Sequence, residues 1–346
     1  QALRKRLDRL ERQALDRIPA GQPFSSSIGH AHLPNTPLVF GRVADFVQRR
    51  HAEALRLIRN FDPAGVKRYR QGRDTPDDST THFAKHANGL SGRDMVAILE
   101  GVTLSADERL IGEALELLDK QTALYAGTVP RGAQTWEIPL HTPDILASAH
   151  MVKAYTLGYI ISDRQEYLQQ ARYWAWPGVP FVYLYPPTPQ PVGSYSTISV
   201  LGATSWKAPL WLGQPVQWGG LVYSSALYLL SEYDRQGPWR KMADGITTVG
   251  LQMTWGETDD KRSGLLPDYF DFRAQVAGGP AINTGTVQAH LPELYGAGTM
   301  YDEKKVPGRD WLIQAPCAMG PIRTDGRAVP GPVKGHGHQT GRARRR

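Results

Sequence analysis

The stretch "ETDDKRSGLLPDYFDFR", which begins at Glu257, holds Glu257, Asp259, Asp260, Asp268 and Asp271 outside any helical pattern. Two carboxyl groups that flank a bond can cleave it, one protonated as general acid and the other ionised. Asp268 is the first candidate for the acid. It follows Leu265, Leu266 and Pro267 and precedes Tyr269 and Phe270, and an apolar setting disfavours the ionised form. Asp271, three residues on, and Glu257 across the loop are the candidate partners. The competing expectation is structural: "ETDDKR" has the composition of a solvated loop, and Asp268 could cap a short helix or turn after Pro267.

A second group surrounds "WEIPLHTPD", Trp136 to Asp144. Thr142 reads as an N-cap, Pro143 as the first helical residue and Asp144 as an acid at the positive end of a helix dipole. The preceding loop then presents Trp136, Glu137 and His141 at a helix mouth. His82 and His86 in "THFAKHANG" are four apart, but they have no third ligand nearby and no HExxH pattern. No metal and no cofactor is expected, and no glycine-rich phosphate loop is present.

The chain has 346 residues and a net charge of +7, of which +6 sits in residues 318–346. The remainder is nearly neutral, so neither composition nor charge points to nucleic acid. No apolar run is long enough for a transmembrane helix, and a membrane partner is not expected. The single cysteine, Cys317, excludes an internal disulfide framework. The chain does not begin with Met; a periplasmic or secreted location is the expectation if a leader precedes Gln1. Nothing in the sequence fixes an oligomeric state.

The elements that must position these residues repeat. A short amphipathic helix is predicted over 1–18, loop over 19–37 and a second helix from about Leu38 to Asn60. Three helical hairpins follow at 92–125, 143–176 and 219–255, with turns near 106, 163 and 236. In each, the first helix is rich in Gly, Ala and Ser, which permits close helix approach, and the second begins with polar residues. Stacked hairpins bury faces that no single one can bury. Residues 177–217 form a long connection in which "FVYLY" and "STISVL" read as short strands. Tyr183, Tyr185, Trp206 and Trp255 fall in this connection or at hairpin mouths. These patterns divide the chain into an N-terminal helix and loop (1–37), a helical domain (38–317) and a basic Gly/Pro/Arg-rich tail (318–346) expected to be disordered.

Hairpins at 92–125, 143–176 and 219–255, with the mouth loops "WEIPLH", "FVYLYPP" and "WGETDD", resemble the six-hairpin (α/α)6 toroid glycosidases and the related toroidal polysaccharide lyases. The resemblance is architectural, covers roughly 38–300, and implies an all-α toroid of helical hairpins. With about seven or eight helices after Leu38, the toroid is incomplete or the chain is a fragment. The resemblance implies an oligo- or polysaccharide substrate. It is cleaved by a hydrolase with Asp268, Glu257 and Asp271 as catalytic carboxyls, and held by Trp136, Glu137, His141, Tyr183, Tyr185, Trp206, Trp255 and Asn88. The alternative it implies is a lyase, in which Asn88 or His141 neutralises a uronate and Tyr183 or His141 is the base. A third reading, from another class, is a glycan-binding module without catalysis.

The tail carries no periodic apolar residue. Deleting 318–346 is therefore expected to leave the thermal melting transition in place; a clear fall in melting temperature would show that the tail packs on the body.

Overall fold

A computed structural model describes residues 43–73, 75–202, 206, 213–256, 258–259, 261–282, 290, 293–294, 302–305 and 312–315. The helix expected over 1–18 and the tail 318–346 lie outside the described residues. The chain divides into two compact units, 1–289 and 290–346.

The first unit is helical. Helix α1 spans Val43–Ile58, α2 Asn88–Ser105, α3 Glu108–Tyr125, α4 Ile145–Ser162, α5 Gln165–Ala175, α6 Gln217–Tyr233 and α7 Trp239–Gln252. The three hairpins are α2–α3, α4–α5 and α6–α7, within a few residues of their sequence-based bounds. Helix α4 lies between α2 and α6, α1 packs on α2, and α3, α5 and α7 lie against their hairpin partners. This is the all-α arrangement of a partial (α/α) toroid.

The inner helices α2, α4 and α6 run parallel, and small residues set their spacing. A Cβ on Gly89, in the first turn of α2, would stand 2.7 Å from the Ala147 Cβ in the first turn of α4. Gly219 of α6 similarly faces Ile145 of α4. Helix α4 is buried on almost every side from Ile145 to Thr156, as is α6 from Gln217 to Ser231. A helix enclosed all round shows no polar stripe, whereas the outer helices keep one apolar face. The first two hairpins turn through left-handed residues, Ala106 (φ 51°) and Asp163 (φ 56°). Asp107 then caps α3 by accepting from the Leu110 amide at 3.1 Å.

Helix α4 starts two residues later than expected. Asp144, not Thr142, is the N-cap: its Oδ1 accepts from the Ala147 amide at 2.8 Å. Thr142 is spent in a tight turn to Pro139, and Pro143 forms an isolated bridge with Arg131, which holds the chain extended up to Asp144. Asp144 is fully buried and its Oδ2 accepts from the Ala133 amide at 2.9 Å.

The strands also differ from expectation. "FVYLY" and "STISVL" form no ladder, only isolated bridges: Val182 to Thr197, Ile198 to Pro215 and Val200 to Asp144. Pro180 on one side and Pro186 and Pro187 on the other bracket "FVYLY" and keep it from extending. The antiparallel ladder lies instead in the carboxylate stretch: β1, Leu266–Asp271, pairs with β2, Val276–Ile282. Their register shifts between Pro267 and Tyr269, where β2 carries an extra residue and Gly279 takes φ 77°. In the second unit β3, Asp302–Lys305, pairs antiparallel with β4, Leu312–Ala315.

Two outcomes follow from this packing. Gly89→Ala would place its Cβ 2.6 Å from the Ala133 backbone nitrogen, and it is expected to cost about 1–3 kcal/mol by urea denaturation; an unchanged midpoint would show that the loop yields. Burial lifts the Asp144 pKa from 3.8 to about 6, against the amides of Ala133 and Ala147 that lower it. With the folded pKa above the unfolded one, folding takes up a proton between those values. The contribution is full below about pH 4 and is lost as pH rises through about 6, by up to about 3 kcal/mol. Asp144→Asn should lack this component when urea midpoints of the two proteins are compared across pH; parallel profiles would show that Asp144 does not titrate there.

Candidate functional site at the inner-helix mouths

The amide ends of α2, α4 and α6 face the same side, and the loops that cross them carry the expected site residues. Each inner helix end is held largely by a neighbouring loop. The Gly89 amide of α2 donates to the Arg131 carbonyl at 2.9 Å, and the Ile145 amide of α4 donates to the Ser199 carbonyl at 3.1 Å. Gln134 and Ser199 exchange two hydrogen bonds, and Gln217 of α6 accepts from the Thr197 amide at 2.9 Å while donating to the Ile246 carbonyl at 2.8 Å. All of these side chains are buried. The loops are thereby tied to the scaffold as one hydrogen-bonded chain.

Asn88 belongs to this chain. It is fully buried, donates to the Val129 carbonyl at 2.8 Å and accepts from the Arg131 amide at 2.9 Å. Its amide holds the 128–131 loop on α2, so the structure gives it a scaffolding part where ligand contact was expected.

His141 sits in a cluster with His82, Phe83, His86 and Arg131. Phe83 stacks on it with ring centroids 3.8 Å apart, His82 meets it edge-on, and the Arg131 guanidinium carbon is 5.2 Å from the Phe83 ring. Arg131 Nε donates to His141 Nδ1 at 3.3 Å. Arginine can only donate, so this contact favours the neutral tautomer with its proton on Nε2, which lies 2.9 Å from the Ala84 carbonyl and 3.3 Å from the Ala84 amide. Burial lowers the His141 pKa, and Arg131 adds to the effect. His86 bonds Tyr125 through Nδ1 at 3.1 Å, and His82 Nε2 lies 3.3 Å from Asp78. The two histidines therefore face different partners. Among the described residues no three His, Cys, Asp or Glu side chains are grouped to hold a metal.

Trp136 and Glu137 meet Trp206. The Trp206 indole donates to the Trp136 carbonyl at 3.1 Å, and its amide donates to the Glu137 carbonyl at 3.1 Å. Trp136 also packs against the core. Trp206 thus covers the "WEIPLH" loop from the far end of the long connection.

The third group centres on β1. Asp268 is partly exposed, and its Oδ1 accepts from the indole of buried Trp218, in the first turn of α6, at 3.2 Å. Asp271 accepts from the amides of Arg273 and Ala274 at 2.8 Å, which shapes the β1–β2 turn. Asp259 likewise accepts from the Arg262 amide and guanidinium. Glu257 and Asp260 lie outside the described residues. Trp255 is nearly buried beneath the Arg262 guanidinium, 4.4 Å from its ring, and packs within its loop. Tyr183 donates to the Gly213 carbonyl at 3.0 Å and meets Phe272 edge-on, and Tyr185 is 82% exposed. The expected residues therefore fall into separate neighbourhoods: His141 with Arg131 and Phe83; Trp136 and Glu137 with Trp206; Asp268 with Trp218; and Tyr183 with Gly213 and Phe272. Sequence reading passed over Arg131, Phe83 and Trp218. Only the "THFAKHANG" motif pointed toward Phe83; Arg131 and Trp218 become visible through contacts distant in the chain.

No protein-family model matches the sequence, and no curated protein matches it. Among solved structures the chain is similar to a glycoside hydrolase family 76 mannosidase from Bacteroides thetaiotaomicron, with 9% sequence identity over 61% of this chain and 73% of that one and a TM-score of 0.33. A likeness this distant assigns no family.

Proposed function

We propose that the chain is a carbohydrate-active enzyme, a glycoside hydrolase whose essential carboxyl is Asp268. The observation that carries the reading is the hydrogen bond from the Trp218 indole to Asp268 at the mouth of α6. Asp259 and Asp271 are bound to backbone amides of their own turns. Asp268 is instead held by a buried side chain of an inner helix, on a strand that is partly open to solvent. That bond fixes one carboxyl oxygen at the mouth of α6.

Aromatic rings suit the apolar faces of sugars, with polar groups around them setting orientation. Tyr185, Tyr183 and Trp206 supply such rings on the long connection. The indole N–H favours the ionised carboxylate, so in this reading Asp268 serves as the ionised carboxyl rather than the acid that its apolar flanks led one to expect. Asp271 is a poor partner because its carboxylate shapes a turn, so Glu257 takes the second role. Elimination from a uronate is disfavoured at Asn88, whose amide is already occupied on both sides.

The test is turnover on a panel of neutral and uronate-containing polysaccharides. Reducing-end release is read beside the ultraviolet absorbance of unsaturated uronates. Asp268→Asn is expected to lower reducing-end release by roughly 10²-fold or more while melting and glycan affinity persist. Near-normal release by the variant would remove Asp268 from the mechanism. Ultraviolet-absorbing products would establish a lyase, and glycan affinity without any product would establish a binding module.

A further inference from the structure

Among the described residues, the mouth of α2 and α4 holds a buried cation with no acid paired to it. Arg131 is 9% exposed. Its Nε donates to His141 and one terminal nitrogen donates to the Val129 carbonyl at 3.3 Å. Its neighbours are Phe83, His141, His86 and Tyr125, none of them an acid that ionises near neutral pH. Of the acids on neighbouring segments, Asp94 pairs with Lys67 at 2.7 Å and Asp144 accepts from backbone amides; Asp78 lies 3.3 Å from His82 without a hydrogen bond to it. The amide ends of α2 and α4 add partial positive charge to the same loop. A guanidinium removed from water without a carboxylate is costly unless something anionic completes it.

Phe83 lies next to this cation. It is 73% exposed although one face rests on His141, at an interplanar angle of 18°. A large apolar ring held rigidly by an imidazole and left open to water is a ready platform for a ligand ring.

We propose that Arg131 and Phe83 form an anion-recognising subsite for a sugar that bears a carboxylate or a sulfate ester. The anionic group meets the guanidinium, whose planar fork offers parallel N–H donors to such groups, and the sugar ring lies on Phe83. The neutral tautomer of His141 keeps Arg131 in place by accepting from its Nε. The inference rests on the carbohydrate reading above and gives its substrate a charge.

The experiment titrates the full chain calorimetrically with an oligogalacturonate, its carboxyl-reduced neutral counterpart, a sulfated galactan oligosaccharide and inorganic sulfate, each at low and high salt. At least one anionic oligosaccharide is expected to bind about tenfold or more tightly than the neutral one, an advantage that shrinks with salt. The tighter of the two identifies the anionic group. Phe83→Ala, at an exposed position, should melt as the parent does and weaken binding. Arg131→Lys keeps the charge and loses the fork, so it should lose most of the preference for the anion.

Equal affinity for neutral and anionic oligosaccharides overturns the subsite and leaves the hydrolase reading standing. Sulfate binding without any oligosaccharide binding overturns the sugar platform and, with it, the carbohydrate reading. Retention of the full preference by Arg131→Lys with native melting also overturns the assignment. If Arg131→Lys fails to fold, the parent's preference and the Phe83→Ala affinity decide the matter.

Discussion

Three parallel helices that share one end bring three sets of unpaired amides to one place, and satisfying them governs what the loops can do. The first amides of a helix have no partner within it. In α2 and α6 the N-cap residues, Ala87 and Val216, offer no side-chain cap, and only α4 has one, through Asp144. The Gly89 amide of α2 is met by the Arg131 carbonyl and the Ile145 amide of α4 by the Ser199 carbonyl. Each loop is therefore a structural part of the next hairpin. Loops that look like free presenters of side chains are pinned residue by residue.

That requirement sorts the polar residues of the mouth. Asn88, Gln134, Ser199 and Gln217 lie inward and serve the scaffold, and their burial without loss of hydrogen bonding is what keeps the helix ends dry. Arg131 takes part through its backbone and, through its guanidinium, holds His141 and the Val129 carbonyl. Phe83, Tyr185 and partly exposed Asp268 lie outward of the pinned layer.

The hairpins were legible because their signal is local: inner helices rich in small residues, outer helices with polar starts, and turns near Ala106 and Asp163. The cap of α4 was misplaced because Thr142 and Asp144 both suit an N-cap, and the bridge from Pro143 to Arg131 decides between them. Strand β1 was hidden by Pro267 and by a partner, "VAGGPAI", whose glycines and proline read as a turn; the bulge at Gly279 is what reconciles them with pairing. "FVYLY" misled in the other direction, since aromatic and β-branched residues favour strands only where a partner can run alongside. The arrangement of the mouth residues was not legible. Asn88 and Arg131, or Trp218 and Asp268, meet only after helices far apart in sequence have packed.

The enclosure of α4 has a consequence for how the chain is made. One flank of this apolar helix is covered by α2 and α5, which are local in sequence, but the other waits for α6. The long connection must be synthesised in between. At ordinary translation rates that interval lasts seconds, far longer than helix formation or collapse takes. During it the emerging chain carries an apolar helix face, and the bulky side chains of 173–185 follow it into solution. The seam between α4 and α6 is thus where a nascent chain is most open to chaperone capture, and where a helix from another copy could substitute for α6.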